Sequence, residues 1–249
     1  MSHALHAEWT KLRTLAGTWW LLLAAFTCPP GACAARLTGA DPAKIGLTGV
    51  SLGQVIIALL AAGTIGGEYG SGMIRVTLAA TPRRLTAFTA KALVTAAGAL
   101  AASLLAVGGS VLAGWLILPA RGLSAANGYI PLSLGDTADL RAAGGSVLYL
   151  TLIALLAFGV TAAVRDSAAG IGVVLGVLLV FPIMSAVLPD RPLARHLEQL
   201  SPMTAGLYIQ VTTGVRQLPL TPWQGLGVTA AWAAAALVLG AAVLRLRDA

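Results

Sequence analysis

The chain has 249 residues, of which 57% are hydrophobic and 10% are charged, with a formal net charge of +7 and a mean hydropathy of +0.85. Soluble proteins carry about 25% charged residues, so this composition excludes an ordinary soluble domain and indicates a membrane protein. The cations are spread over many segments and form no basic stripe interleaved with aromatic residues. We therefore expect membrane lipid headgroups as a partner and no nucleic acid.

Six uncharged runs each hold at least 20 residues, which is about the length that a helix needs to cross a ~30 Å hydrocarbon layer. They lack the alternation of barrel strands and therefore predict helices. No remaining piece is long enough to bury its own core. The sequence predicts an all-α polytopic membrane protein with six transmembrane helices in a single domain over residues 1–249. The runs are 14–35, 45–67, 92–120, 142–164, 167–189 and 217–244.

The segment before the first run has an amphipathic pattern. Leu5, Trp9 and Leu12 recur on one helix face, whereas Lys11 and Arg13 lie elsewhere on the helix. This pattern predicts an interfacial helix on the inner leaflet of the membrane.

The first run resembles a secretory signal peptide in its flanking residues, and we expect it to be retained as the first span. Pro29 and Pro30 should bend this span. Cys28 and Cys33 face different sides of a helix, so we expect two buried thiols unless the prolines unwind the helix and allow a disulfide.

A charged loop joins the second and third runs. Thr81 followed by Pro82 predicts a helix start that leads into the third run. Ahead of it, a short helix would expose apolar residues beside a cation, which is typical of a docking surface. The alternative is an ordinary solvated loop. The docking residues are Met73, Ile74, Arg75 and Leu78.

Glu68 lies where the second run meets the cytoplasm. A carboxylate at this dielectric boundary needs a cationic partner to stay charged at low cost. The candidate partners are Arg13, Arg75 and Arg84. The alternative is that Glu68 merely marks a helix end in headgroup water.

The fifth run contains a face of small residues. Gly172 and Gly176 form a GxxxG motif, with Ala168 one turn earlier. Such a face lets two helix backbones approach closely. It predicts packing either between two copies of the chain or against another span of the same chain.

Residues 190–216 form an external segment that is too short and too polar to span. They contain a helix-forming stretch and then Ser201 followed by Pro202, which predicts a second helix start. The cations lie densest beside the loop of Glu68, and this bias favours cytoplasmic N- and C-termini.

No motif for chemistry is present. The lysines Lys11, Lys44 and Lys91 follow Thr, Ala and Ala, so the Gly-Lys pair of a phosphate-binding loop is missing. There is no catalytic triad order and no metal-ligand spacing, and we expect no enzyme activity, cofactor or metal in this chain.

The motifs EWTKLRT, EYGSGMIRVTL and PRR with Lys91 resemble those of the ABC-2 type permease subunit of bacterial ATP-binding cassette exporters. Here Gly72 precedes Met73, where the family has Gly-Thr. The resemblance implies a half-transporter in the bacterial inner membrane, in which two permeases pair with two cytoplasmic ATPase subunits that hold ATP and Mg.

The resemblance also assigns parts to the segments. Residues 8–13 would be a connecting helix, residues 73–78 a coupling helix that docks on the ATPase, and residues 190–216 an external re-entrant segment. The apolar spans suit a hydrophobic or amphipathic cargo such as a peptide antibiotic, drug or lipid, with antibiotic resistance as one task. The alternative function is a non-transporting membrane anchor or sensor that docks a cytoplasmic partner.

Overall fold

The computed structural model describes residues 47, 49–73, 84–120 and 136–247. The regular structure in this part of the chain is helical. Two short 3-10 turns, Tyr208–Gln210 and Val215–Gln217, lie between the last two α-helices. The α-helices are α1 (Gly49–Gly70), α2 (Arg84–Ala120), α3 (Thr137–Val164), α4 (Ser167–Val187), α5 (Arg191–Leu200), α6 (Pro202–Leu207) and α7 (Pro222–Arg247).

Five of these helices are long and apolar enough to cross a membrane, namely α1, α2, α3, α4 and α7. They coincide with five of the six uncharged runs, so the prediction of an all-α polytopic membrane protein is confirmed. The first run, 14–35, and the interfacial helix of Leu5, Trp9, Lys11, Leu12 and Arg13 lie outside the described residues.

Short polar caps set the ends of α3 and α4. The Asp136 carboxylate accepts a hydrogen bond from the Ala138 amide at 3.1 Å, and the Asp166 carboxylate accepts one from the Ala169 amide at 2.7 Å. Arg165 ends α3 in the left-handed region with φ of 65°. Because only Arg165 and Asp166 separate the two helices, α3 and α4 form a tight hairpin.

The central helix is α3, which packs against α1, α2, α4 and α7. Residues such as Ile153, Ala154 and Phe158 are fully buried there. Gly159 lies directly against the α7 backbone at Ala236, and the Gly159 carbonyl lies beside Gly240 of α7. The two helices therefore approach so closely that neither glycine has room for a side chain.

Contacts between helix ends define two ends of the bundle. At one, which we call the Glu68 end, Ser167 at the start of α4 touches Gly66 near the end of α1. Arg165 at the end of α3 reaches the Val243 carbonyl near the end of α7. At the opposite end, α5 and α6 fold back between α4 and α7. As Ser201 and Pro202 predict, α6 begins there, and the Ser201 hydroxyl accepts a hydrogen bond from the Thr204 amide.

Candidate coupling site at one end of the bundle

A buried ion pair joins α1 to α2 at the Glu68 end. The Lys91 ammonium donates to the Glu68 carboxylate, and the two residues are only 9% and 4% exposed. Glu68 lies in the last turn of α1, and Lys91 lies near the start of α2. The pair therefore bridges the two helices that flank residues 71–83, the segment with the predicted docking residues.

Removing two charges from water is costly, so a buried pair persists only where both partners are well positioned. The contact between α1 and α2 continues one helical turn deeper, where the Thr64 and Thr95 hydroxyls lie 3.3 Å apart. This second polar contact fixes the same register between the two helices. The two polar contacts together join α1 and α2 near Glu68.

An apolar cluster lies near the ion pair. The rings of Phe88 and Phe158 pack at 5.3 Å between centroids. Ile65 of α1, Ala162 of α3 and Leu244 of α7 complete this cluster. Four helices therefore share one small core, and its members Ile65 and Phe88 lie one helical turn from Glu68 and Lys91 along α1 and α2.

Arg165 ties the α3–α4 junction to the same place. Its guanidinium carbon lies 6.0 Å from the centroid of the Tyr69 ring, within the range of a cation–π contact. Its Nη2 also donates to the Val243 carbonyl at 3.2 Å. Tyr69 follows Glu68 directly. The end of α1 therefore contacts α2 through Lys91 and the end of α3 through Arg165, which also binds α7.

Sequence reasoning placed Glu68 at this boundary but did not name Lys91 as its partner. Burial of Glu68 argues against the alternative of a helix end in headgroup water. Of the cations that the sequence suggested, Arg13 and Arg75 lie outside the described residues, and Arg84 begins α2. The available signal was that Lys91 is the last charge before the third run, as Glu68 is the first after the second.

The docking residues are described only at their beginning. Gly72 adopts φ of 71°, a conformation that favours glycine, and it ends the turn after α1. Met73 follows and is 45% exposed. Ile74, Arg75 and Leu78 lie outside the described residues. Their role in coupling stays a prediction.

The small-residue face of α4 is open. Ala168 and Gly172 are exposed and Gly176 is half-buried. No described atom lies within 4 Å of the position that a Cβ would occupy at Gly172 or Gly176. The buried side of α4 carries Gly170, Val174 and Leu178 instead. Within the described residues, no span of the same chain covers the GxxxG face.

Comparison with known proteins returns no matching family model and no matching curated protein. In the part of the chain that the structure describes, no group of His, Cys, Asp and Glu side chains is arranged to hold a metal ion. The chemistry of the site therefore consists of the ion pair, the cation–π contact and the packing around them.

Proposed function

We propose that this chain is the transmembrane permease subunit of an ATP-driven ABC exporter in a bacterial inner membrane. It would move a hydrophobic or amphipathic compound, such as a peptide antibiotic, drug or lipid, out of the cell. A separate cytoplasmic ATPase subunit would bind ATP and Mg and supply the energy. The observation that carries the proposal is the buried ion pair between Glu68 and Lys91.

The position of the pair is what a mechanical connection requires. An ATPase that moves a docking helix within residues 73–78 would pull on the ends of both α1 and α2. Because Glu68 and Lys91 join those ends, the two helices would move together instead of separating. Arg165 would pass the displacement on to α3 and α7 through its contacts with Tyr69 and Val243.

Charge supports a cytoplasmic Glu68 end. The described residues at this end include five cations (Arg84, Lys91, Arg165, Arg245 and Arg247) and two acids (Glu68 and Asp166). The opposite end has four cations (Arg141, Arg191, Arg195 and Arg216) and four acids (Asp136, Asp139, Asp190 and Glu198). Cytoplasmic ends of spans carry more Lys and Arg, so the asymmetry favours cytoplasmic N- and C-termini.

The folded segment at the opposite end favours a transporter over the alternative of a membrane anchor or sensor. The Thr229 hydroxyl donates to the Pro202 carbonyl at 2.9 Å, and Gly206 is packed against Tyr149. These contacts hold α6 among the spanning helices. An anchor has no need for such a segment, whereas a transporter must close its path to water on the outer side.

Two copies of the chain, or this chain and a similar permease, would form the complete membrane unit. The open face of Ala168, Gly172 and Gly176 is the surface that we propose for this pairing. Its small residues allow close approach of two backbones. No described span of the same chain competes for it.

Photo-crosslinking in native membranes tests the proposal. A crosslinking amino acid at position 74 should capture a protein that hydrolyses ATP, and the same amino acid at Val238, exposed on α7, serves as the control. The complex of the chain with the captured protein is then purified without crosslinking and reconstituted into liposomes. ATP-dependent export of a hydrophobic fluorescent dye is expected. A purified complex without an ATP-hydrolysing subunit contradicts the proposal.

A further inference from the structure

Helix α5 has two unlike faces. Leu193, Leu197 and Leu200 share one side of the helix, whereas Arg191 and Arg195 lie on the other. No residue of α5 is buried. Both arginines are exposed, and so are Leu193 and Leu200. The helix therefore presents an apolar and a cationic surface to its surroundings at the same time.

This helix runs back along α4 towards the middle of the bundle. It begins at Arg191 and ends at Leu200, whose carbonyl accepts a hydrogen bond from Trp232 Nε1 at 2.9 Å. Trp232 lies about 15 Å from the start of α7, because a helix rises about 1.5 Å per residue. Thr229, which holds the Pro202 carbonyl, lies about 10 Å from the same start. The end of α5 thus lies well within the length of the spanning helices.

The length of α4 can be compared with the thickness of the membrane to place Arg195. With 21 residues, α4 is about 31 Å long, close to the ~30 Å of the hydrocarbon layer. The start of α5 then lies near the edge of this layer, and Arg195 lies about 6 Å further along the helix axis. No described residue forms an ion pair with Arg195. A guanidinium at this depth is costly in lipid and is tolerated where it faces water.

Within the described residues, the side-chain hydrogen bonds of α5 involve Glu198 and Gln199 and not its arginines. The Tyr208 hydroxyl donates to the Glu198 carboxylate at 3.3 Å, and burial together with that carboxylate raises the pKa of Tyr208 to about 12. Gln199 reaches the Pro219 carbonyl at 3.4 Å. Deeper in the bundle, α6 packs tightly against α3, because Gly206 of α6 lies directly against the Tyr149 ring. Arg195 lies between Glu198 and Gln199 around the helix axis, three and four residues before them, so the arginine face is the side of α5 that turns towards Tyr208 and Pro219. Arg195 itself is exposed on that side.

We propose that the arginine face of α5 lines a water-filled vestibule, which enters the bundle from the end opposite Glu68 and is closed below by α6. The leucine face lies against lipid. The amphipathic pattern of α5 separates these two environments, as irregular segments within a membrane require. This inference depends on the membrane position of the helices and does not rest on export or on an ATPase.

Spin-label accessibility tests the vestibule in the full-length protein. Arg195→Cys and Leu193→Cys, each in a Cys28→Ser and Cys33→Ser background, carry a nitroxide on opposite faces of α5. The protein is reconstituted into liposomes, and collision with the water-soluble reagent NiEDDA is compared with collision with oxygen, which partitions into lipid. We expect position 195 to collide several-fold more with NiEDDA than position 193, and position 193 to collide more with oxygen.

Three outcomes overturn the proposal. Oxygen-dominated collision at both positions places both faces in lipid, so that Arg195 reaches headgroups only by extending its side chain. NiEDDA-dominated collision at both places α5 in bulk water outside the membrane. Low collision with both reagents at position 195 means that protein covers the arginine face. Arg191→Cys at the start of the helix is the water-exposed reference, because it should collide with NiEDDA in every case.

Discussion

The carboxylate of Glu68 on α1 and the ammonium of Lys91 on α2 meet in a buried ion pair, although the two residues are separated along the chain by the loop with the predicted docking residues. The pair joins the ends of two long apolar helices. Its energetic coupling is therefore the first property to measure.

Removing one partner of the pair should be worse than removing both. Glu68→Gln or Lys91→Met alone breaks the buried pair while its other member stays in place, which costs about 3 kcal/mol or more. The double variant Glu68→Gln with Lys91→Met should recover part of the lost thermal stability in detergent. Arg245→Gln, at an exposed position of the same end, is the control. Additive losses in the double-mutant cycle would show that the two residues do not interact.

The glycines of the bundle should differ sharply in their tolerance of a side chain. Gly159→Val forces α3 away from the α7 backbone at Ala236. Overpacking of this kind costs about 1–3 kcal/mol or more, and we expect a clear fall in melting temperature. Gly108→Ala on α2, where nothing lies within 4 Å of the added Cβ, lies outside the proposed face between copies and should melt within a degree or two of the wild type. An equal fall in melting temperature for the two substitutions would contradict this structure.

Two copies should approach through α4. In a background without Cys28 and Cys33, Gly172→Cys should form a disulfide between copies in the membrane, and Val238→Cys on the exposed side of α7 should not. The small residues at this face permit the required close contact. A functional Gly172→Cys protein that never crosslinks would remove α4 from the interface between copies.

The orientation of the chain can be tested with reporters. A reporter fused after Ala249 should be cytoplasmic, because α7 ends at the Glu68 end with its excess of cations. A reporter within residues 124–134 should be external. An external signal from the fusion after Ala249 would invert the proposed topology.

The apolar runs predicted six spans, and five of these runs are long apolar helices in the described residues. The runs were informative because the length and composition of a span depend on the membrane and hardly on its neighbours. The start of α6 at Pro202 was likewise a local property of Ser201 and Pro202. The partner of Glu68 was not a local property of the sequence, because the register between α1 and α2 depends on tertiary packing. Lys91 was therefore missed.

The glycine motif gives a similar lesson. GxxxG drew attention to Gly172 and Gly176, yet the close approach of the spanning helices α3 and α7 involves Gly159 and Gly240. These two glycines lie on different helices and form no local motif. Which face of a helix turns inward is decided by the whole bundle, so spacing alone could not distinguish an internal contact from an open surface.

The central claim is that the Glu68–Lys91 pair transmits work from a docked ATPase to the spans. A preliminary control fixes the docking surface: Met73→Asp or Ile74→Asp should detach the ATPase, since a charge then occupies an apolar contact. Retention of the ATPase by both variants would show that residues 73–78 are not the docking helix.

The most direct test is the coupling of the Glu68→Gln complex. Its subunit ratio, its substrate-stimulated ATP hydrolysis and its export rate are measured in liposomes beside those of the wild type and of Arg245→Gln. We predict an unchanged subunit ratio with both rates reduced about tenfold, equivalent to about 1.4 kcal/mol of lost coupling. A Glu68→Gln complex that hydrolyses ATP and exports substrate at wild-type rates would contradict the role that we assign to the ion pair.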